Sequence, residues 1–186
     1  MKIPCTHSVT ALILAANLAM LAACSEANPA KFVPRIQKEA QDYLVALNAG
    51  DEPVVAGRSP AKFLKLINGE VGQYLSRRNN GIRQSGFVIM SAAAGTPGTP
   101  QRAGGLLVSF VPVVTQMRYD DGGDFRKMRV FGPTALKLSN YLAALSHDRG
   151  RTWKFFEAED ESITAVLSDV KGKILIPSPL ADATPY

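Results

Sequence analysis

The hydrophobic period of this chain changes once, near Gly86, and that change restricts it to few architectures. Before it, apolar residues return every three or four positions; after it, they fall into short runs and strict alternation. The first pattern makes helices with one buried stripe, and the second makes strands with one buried face. Helices first and strands afterwards imply an α+β layer rather than alternating βαβ units. A chain of 186 residues suits one domain and can bury a core without staples. At 46% hydrophobic and 20% charged residues, neither a disordered tract nor a fibrous repeat fits.

Asn28-Pro29 supplies an N-cap with Pro at the first helical position. Phe32, Ile36, Ala40, Tyr43 and Leu47 then recur at helical spacing, and Asn48-Ala49-Gly50 closes the segment. Ser59-Pro60 predicts a second helix whose stripe is Phe63, Leu64, Ile67, Val71, Tyr74 and Leu75, ending at Asn80-Gly81. Gly69 and Gly72 weaken it, each costing about 1 kcal/mol against Ala, or serve close packing.

After Gly86, Phe87–Met90 reads as a buried strand, and Ser91–Gly105 as a long loop able to act as a flap. Leu106–Arg118 alternates as a strand, with Pro112 pointing to an edge or a bulge. Tyr119–Asp124 has the composition of a hairpin turn, and Phe125–Phe131 is the returning strand. Ala135–Ser146 and Trp153–Ala158 follow as strands, then a short helix or turn near Ser162–Ser168 and a last strand, Lys173–Ile176. The predicted fold is two N-terminal helices packed on a curved antiparallel sheet.

The first 23 residues read as an export leader. Met1-Lys2 carries charge, and Val9–Ala23 is an apolar run too short for a dedicated membrane span that ends in small residues. Its last residues, Leu21-Ala22-Ala23-Cys24, resemble a bacterial lipobox. That resemblance implies cleavage before Cys24, a diacylglycerol on its thiol and further acylation, such as palmitate. Because Ser25 is not Asp, it also implies sorting to the outer membrane, with the domain facing the periplasm. The expected organisation is a signal peptide over 1–23, an anchor and tether over 24–30, and one α+β domain over 31–186. Processing removes Lys2 from the 21 basic residues, leaving 20 against 16 acidic ones. Cys5 leaves with the leader and Cys24 carries lipid, so the domain has neither a disulfide nor a free thiol.

Two further resemblances concern the domain. Tyr43–Asp51 resembles the end of the first helix in NTF2-like domains, cones of the cystatin/NTF2 type, which implies a cavity at the mouth of the sheet. Ser146-His147-Asp148-Arg149-Gly150-Arg151-Thr152-Trp153 is similar to the Asp-box of sialidases and other propeller proteins. The Asp-box specifies a hairpin: Asp148 accepts from turn amides, Gly150 allows positive φ, and Trp153 covers the turn. Ser146 and Thr152 complete it.

The remaining candidates favour binding over chemistry. His147 is the one His after processing, and consecutive Ser146, His147 and Asp148 cannot converge as a catalytic relay. Without a second His or a thiol, an ordinary zinc site lacks ligands, and no metal or cofactor is expected. Asp120, Asp121 and Asp124 lack EF-hand spacing and read as a solvated hairpin tip. Glu157, Glu159, Asp160 and Glu161 read as a solubilising run that starts a helix. The basic groups are Lys31/Arg35/Lys38, then Arg77-Arg78 with Arg83, then Arg126-Lys127-Arg129. They lack interleaved aromatics, and an exported protein rarely meets nucleic acid. Lys31, Arg35 and Lys38 share a helix face close to the anchor. That face is either solvated or held against anionic headgroups.

The expected function is therefore non-enzymatic: an envelope lipoprotein that binds a protein partner or assists an assembly. The alternative is a small apolar ligand in the cone, lined by Phe87, Met90, Phe110, Phe131, Tyr141 and Trp153. An enzyme working in that cavity through a carboxylate or a Tyr ranks below both.

Overall fold

A computed structural model describes residues 28–119, 135–178 and 184–185. The Asn28 side chain accepts from the Ala30 N–H at 3.0 Å, opening a 3-10 turn, Pro29–Phe32, that leads into α1, Val33–Ala49. Ile36, Ala40, Tyr43, Leu44 and Leu47 are all buried along one stripe of α1. The single second helix expected from Ser59 is instead two helices, preceded by another. α2 spans Glu52–Arg58, with Asp51 as its N-cap; α3 spans Ala61–Leu66; α4 spans Val71–Gln84. The break between α3 and α4 falls at Asn68 and Gly69, whose φ values are +54° and +75°. At Gly72 an added Cβ would meet only the carboxyl end of the exposed Glu52 side chain, 2.6 Å from Oε2, which can swing aside.

The sheet contains β1 Phe87–Ala94, β2 Gln101–Ala103, β3 Leu106–Tyr119, β4 Ala135–Ser146, β5 Lys154–Glu157 and, after α5 (Asp160–Val166), β6 Thr184–Pro185. All pairings are antiparallel, in the order β1-β3-β4-β5; β2 also pairs with β3, and β6 with β4. The fold is α+β: helices followed by a strongly curled antiparallel sheet that forms a half-barrel.

The expected flap at Ser91–Gly105 does not exist. β1 runs on to Ala94, Gly95 N–H donates to Pro112 O, Gly98 N–H donates to Phe110 O, and β2 returns through a tight turn at Gly104–Gly105. Pro112 lies in the central strand β3, not at an edge. Its carbonyl faces the β1 side, so its missing donor falls where the β1 ladder stops, at Ala94–Val113. The last expected strand, Lys173–Ile176, is a 3-10 turn at Lys171–Lys173 followed by extended chain held to Gln101. Phe125–Phe131 lies outside the described residues.

Alternation along β3 and β4 sends side chains into two cores. Leu107, Val111, Val113, Leu142 and Ala144 pack with α1, α2, α4, Trp153 and Phe155. Leu106, Val108, Phe110, Ala143 and Leu145 pack on the opposite face with Phe63, Phe156, α5, Leu167 and Val170. Both faces of this end of the sheet are therefore covered.

Candidate functional site

Beyond the first core, the helix-facing side of the sheet runs on under the end of α4 and leaves a cavity of about 270 Å³ there. Register decides which side chains reach it. Thr115 and Met117 follow Val113 on the same face of β3, and Leu138 and Asn140 precede Leu142 on β4. A bulge between Ile89 and Ser91 resets the parity of β1, so Phe87 and Ile89 face inward while Met90 is 56% exposed. Glu157 lies opposite Leu142 and therefore faces α4. Arg78 and Ile82 of α4, Ser85 just past its end, and Glu159 complete the lining. The volume sits near the lower end for small-molecule sites, about 300 Å³.

At the inner end Glu157 is 8% exposed and anchored from two sides. Arg78 Nε donates to both of its oxygens at 3.0 Å, and the Tyr74 hydroxyl donates to it at 2.5 Å. Arg78 Nη1 also donates to Asn48 Oδ1 and Asn79 Oδ1, each at 3.1 Å. Burial, reinforced by the Glu157 charge, pushes the Tyr74 hydroxyl far above its ordinary range, so it remains a proton donor. Asn140 Oδ1 is buried without a hydrogen-bond partner among the described residues. Glu159 stands at the cavity rim, exposed over much of its surface. Partial burial of its carboxyl, and then the Glu157 charge, raise its pKa.

The expected cone lining is thus corrected. Of the described members of that set, only Phe87 lines this cavity. Phe110 and Tyr141 have the opposite parity and line a groove of about 490 Å³ on the other face, with Pro112, Gln101 and Leu175. Trp153 is 3% exposed in the first core, edge-on to Phe32 at 5.9 Å. Phe131 lies outside the described residues. The solubilising run is corrected too: Glu157 is buried and ion-paired, Glu159 borders the cavity, and only Asp160 and Glu161 open α5. Tyr74, Arg78, Glu157 and Asn140 were not singled out as one site. The available signal was Glu157 alternating with Phe155, next to Tyr74 and Arg78 one helical turn apart.

The hairpin is built from its own side chains. Asp148 Oδ1 accepts from Ser146 Oγ at 2.8 Å and Thr152 N–H at 2.9 Å, and Oδ2 accepts from Thr152 Oγ1 at 2.7 Å. Ser146 Oγ in turn accepts from Gly150 N–H at 2.8 Å. These donors, led by the Thr152 backbone N–H, hold the Asp148 carboxyl well below the usual carboxylate range. Gly150 (φ +86°) faces the Phe32 ring. His147 is exposed and borders a separate hollow with Lys62, Asp169 and Val166.

The basic helix face is partly engaged within the chain. Arg35 pairs with Glu39 at 2.6 Å and donates to the Arg151 carbonyl at 2.7 Å, bracing α1 against the hairpin. Lys38 pairs with Asp42 at 3.4 Å, and Lys31 Nζ lies 5.1 Å from the centroid of the Phe32 ring. Arg77 and Arg83 are exposed. Cys24, Asp120, Asp121, Asp124, Arg126, Lys127 and Arg129 lie outside the described residues. Among the described residues no three His, Cys, Asp or Glu side chains gather as a metal site, and no helix is long and apolar enough to cross a membrane.

Fold and cavity define an α+β half-barrel with a partly polar pocket under one helix. The chain matches no family model, and neither the curated proteins nor the solved structures contain a significant match to it.

Proposed function

We propose that this chain is a lipoprotein of the bacterial envelope, anchored through Cys24 to the outer membrane and facing the periplasm. Its domain binds a small, mainly apolar molecule in the cavity under α4. The observation behind the binding half is the lining itself: Ile82, Phe87, Ile89, Met117 and Leu138 form an apolar wall that closes on a buried ion pair and an unpartnered amide oxygen. Sites of this composition hold small ligands. Binding is favoured over turnover because Tyr74 and Arg78 are both engaged with Glu157. Glu159 then has no relay partner in the cavity, and His147 borders a different hollow.

The anchor half rests on Leu21-Ala22-Ala23-Cys24. Cys24→Ser leaves the protein unprocessed or soluble, as read by membrane fractionation and mass; persistent anchoring refutes that half. For the cavity, mass spectrometry of an organic extract from the purified protein recovers one small molecule. Leu138→Trp, which fills the cavity, removes it. An extract unchanged by the variant refutes the cavity as its site.

A second reading, docking of an envelope protein partner, has its own observation. Beside the groove at Phe110, Pro112 and Tyr141, Leu175 is 78% exposed. A photoreactive residue at 175 that captures one dominant envelope protein in cells supports it; a residue on the far side of α1, at Val45, serves as the control.

A further inference from the structure

Among the described residues the cavity lining is unevenly charged. Arg78, the one cation on the lining among the described residues, has its charge offset by Glu157 and spends Nη1 on Asn48 and Asn79. The Tyr74 proton is spent on Glu157, and Ser85 Oγ donates to the Gly81 carbonyl at 2.9 Å. Donors also remain on the lining, at the Thr115 hydroxyl and the Asn140 amide nitrogen, so what sets its preference is charge together with two open acceptors. The Glu159 carboxyl has no hydrogen bond among the described residues, and Asn140 Oδ1 is buried without a donor. Among the described residues of the lining, two carboxylates face one guanidinium. Arg83 does not line this cavity but borders an adjoining hollow of about 190 Å³ that shares Ile82, Phe87 and Ile89 with it.

Resting on the ligand-binding reading above, we infer that the cavity selects a cationic amphiphile, a short apolar body carrying a protonated amine. An ammonium group has three donors and no acceptor, so it answers acceptors that the protein leaves open. It also neutralises the excess negative charge next to Glu157 and Glu159. A carboxylate head brings more acceptors and a third like charge into a partly desolvated space, where such repulsion is poorly screened. An alcohol of the same length donates once and carries no charge, and so falls between the two. The apolar wall from Ile82 to Leu138 accommodates the body in every case.

Matched tails isolate the head group. Titration calorimetry at pH 7 on the full chain carrying Cys24→Ser compares n-octylammonium, n-octanol and n-octanoate. The ammonium binds at least about tenfold tighter than the carboxylate. Glu159→Gln, with an unchanged thermal transition as its folding control, brings that ratio to within about twofold. If all three bind alike, or the carboxylate binds best, and Leu138→Trp still abolishes binding, the charge inference is overturned and the ligand cavity stands. If none binds, or Leu138→Trp leaves binding intact, the cavity reading falls and the inference with it.

Discussion

Gly150 is where the hairpin and the first helix meet most closely. A Cβ at this position would sit 2.5 Å from Phe32 Cζ, on a backbone with φ +86°. Gly150→Ala therefore combines left-handed strain with a forced shift of an aromatic ring that itself covers Trp153. The expected loss is about 2–4 kcal/mol, read as a lower urea midpoint with an unchanged slope. Asp148 makes a different prediction. Its carboxyl is held below the ordinary range by turn donors in the folded chain only. Its contribution is complete above the unfolded carboxylate pKa and is lost as pH falls through the folded one. Acid should therefore destabilise the protein progressively below about pH 4. Asp148→Asn keeps an acceptor for Thr152 N–H, and its melting temperature should depend less on pH in that range. Identical pH profiles would remove Asp148 from the acid sensitivity.

Among the elements, α1 does two jobs: its apolar stripe fills the core, and its flank closes a strand edge. Gln41 Nε2 donates to Ala92 O at 3.1 Å while its Oε1 accepts from Ala94 N–H at 2.8 Å, and Gln37 donates to Ala94 O at 3.2 Å. Two side-chain amides thus stand in for a missing neighbouring strand, a common protection against edge-to-edge pairing. Gln41→Ala should cost about 1–2 kcal/mol and raise light scattering at concentrations where the parent stays monomeric. The stripe of α1 was legible from its helical period, and β3 and β4 from long apolar runs that are buried on both faces. β2 was not read, although Gly104-Gly105 is a two-residue hairpin signal, because its three residues are too few to show alternation. The single helix expected from Ser59 to Gly81 was misread for a related reason. Its stripe stays in phase across the break at Asn68-Gly69, so periodicity alone does not reveal a turn there.

For the whole molecule, the decisive feature is that two cores share the same two strands. Leu142 and Ala144 face one, while Ala143 and Leu145 face the other. The candidate cavity was invisible in the sequence because it depends on this parity and on the bulge at Met90, and neither follows from composition. Glu157 illustrates the loss: it reads as the start of an acidic run, yet its register opposite Leu142 turns it inward to Arg78. Sharing strands also dictates how the domain unfolds. Leu167 is fully buried in the second core, and Trp153, the single tryptophan of the chain, reports on the first. Leu167→Ala should remove about 2–4 kcal/mol through transfer and cavity terms. If β3 and β4 bind both cores into one cooperative unit, the Trp153 fluorescence transition moves by that full amount and coincides with the far-UV circular dichroism transition. A Trp153 transition that stays in place while the dichroism shifts would show that the second core melts alone. In that case the helix-facing core would hold the cavity in shape without the second one.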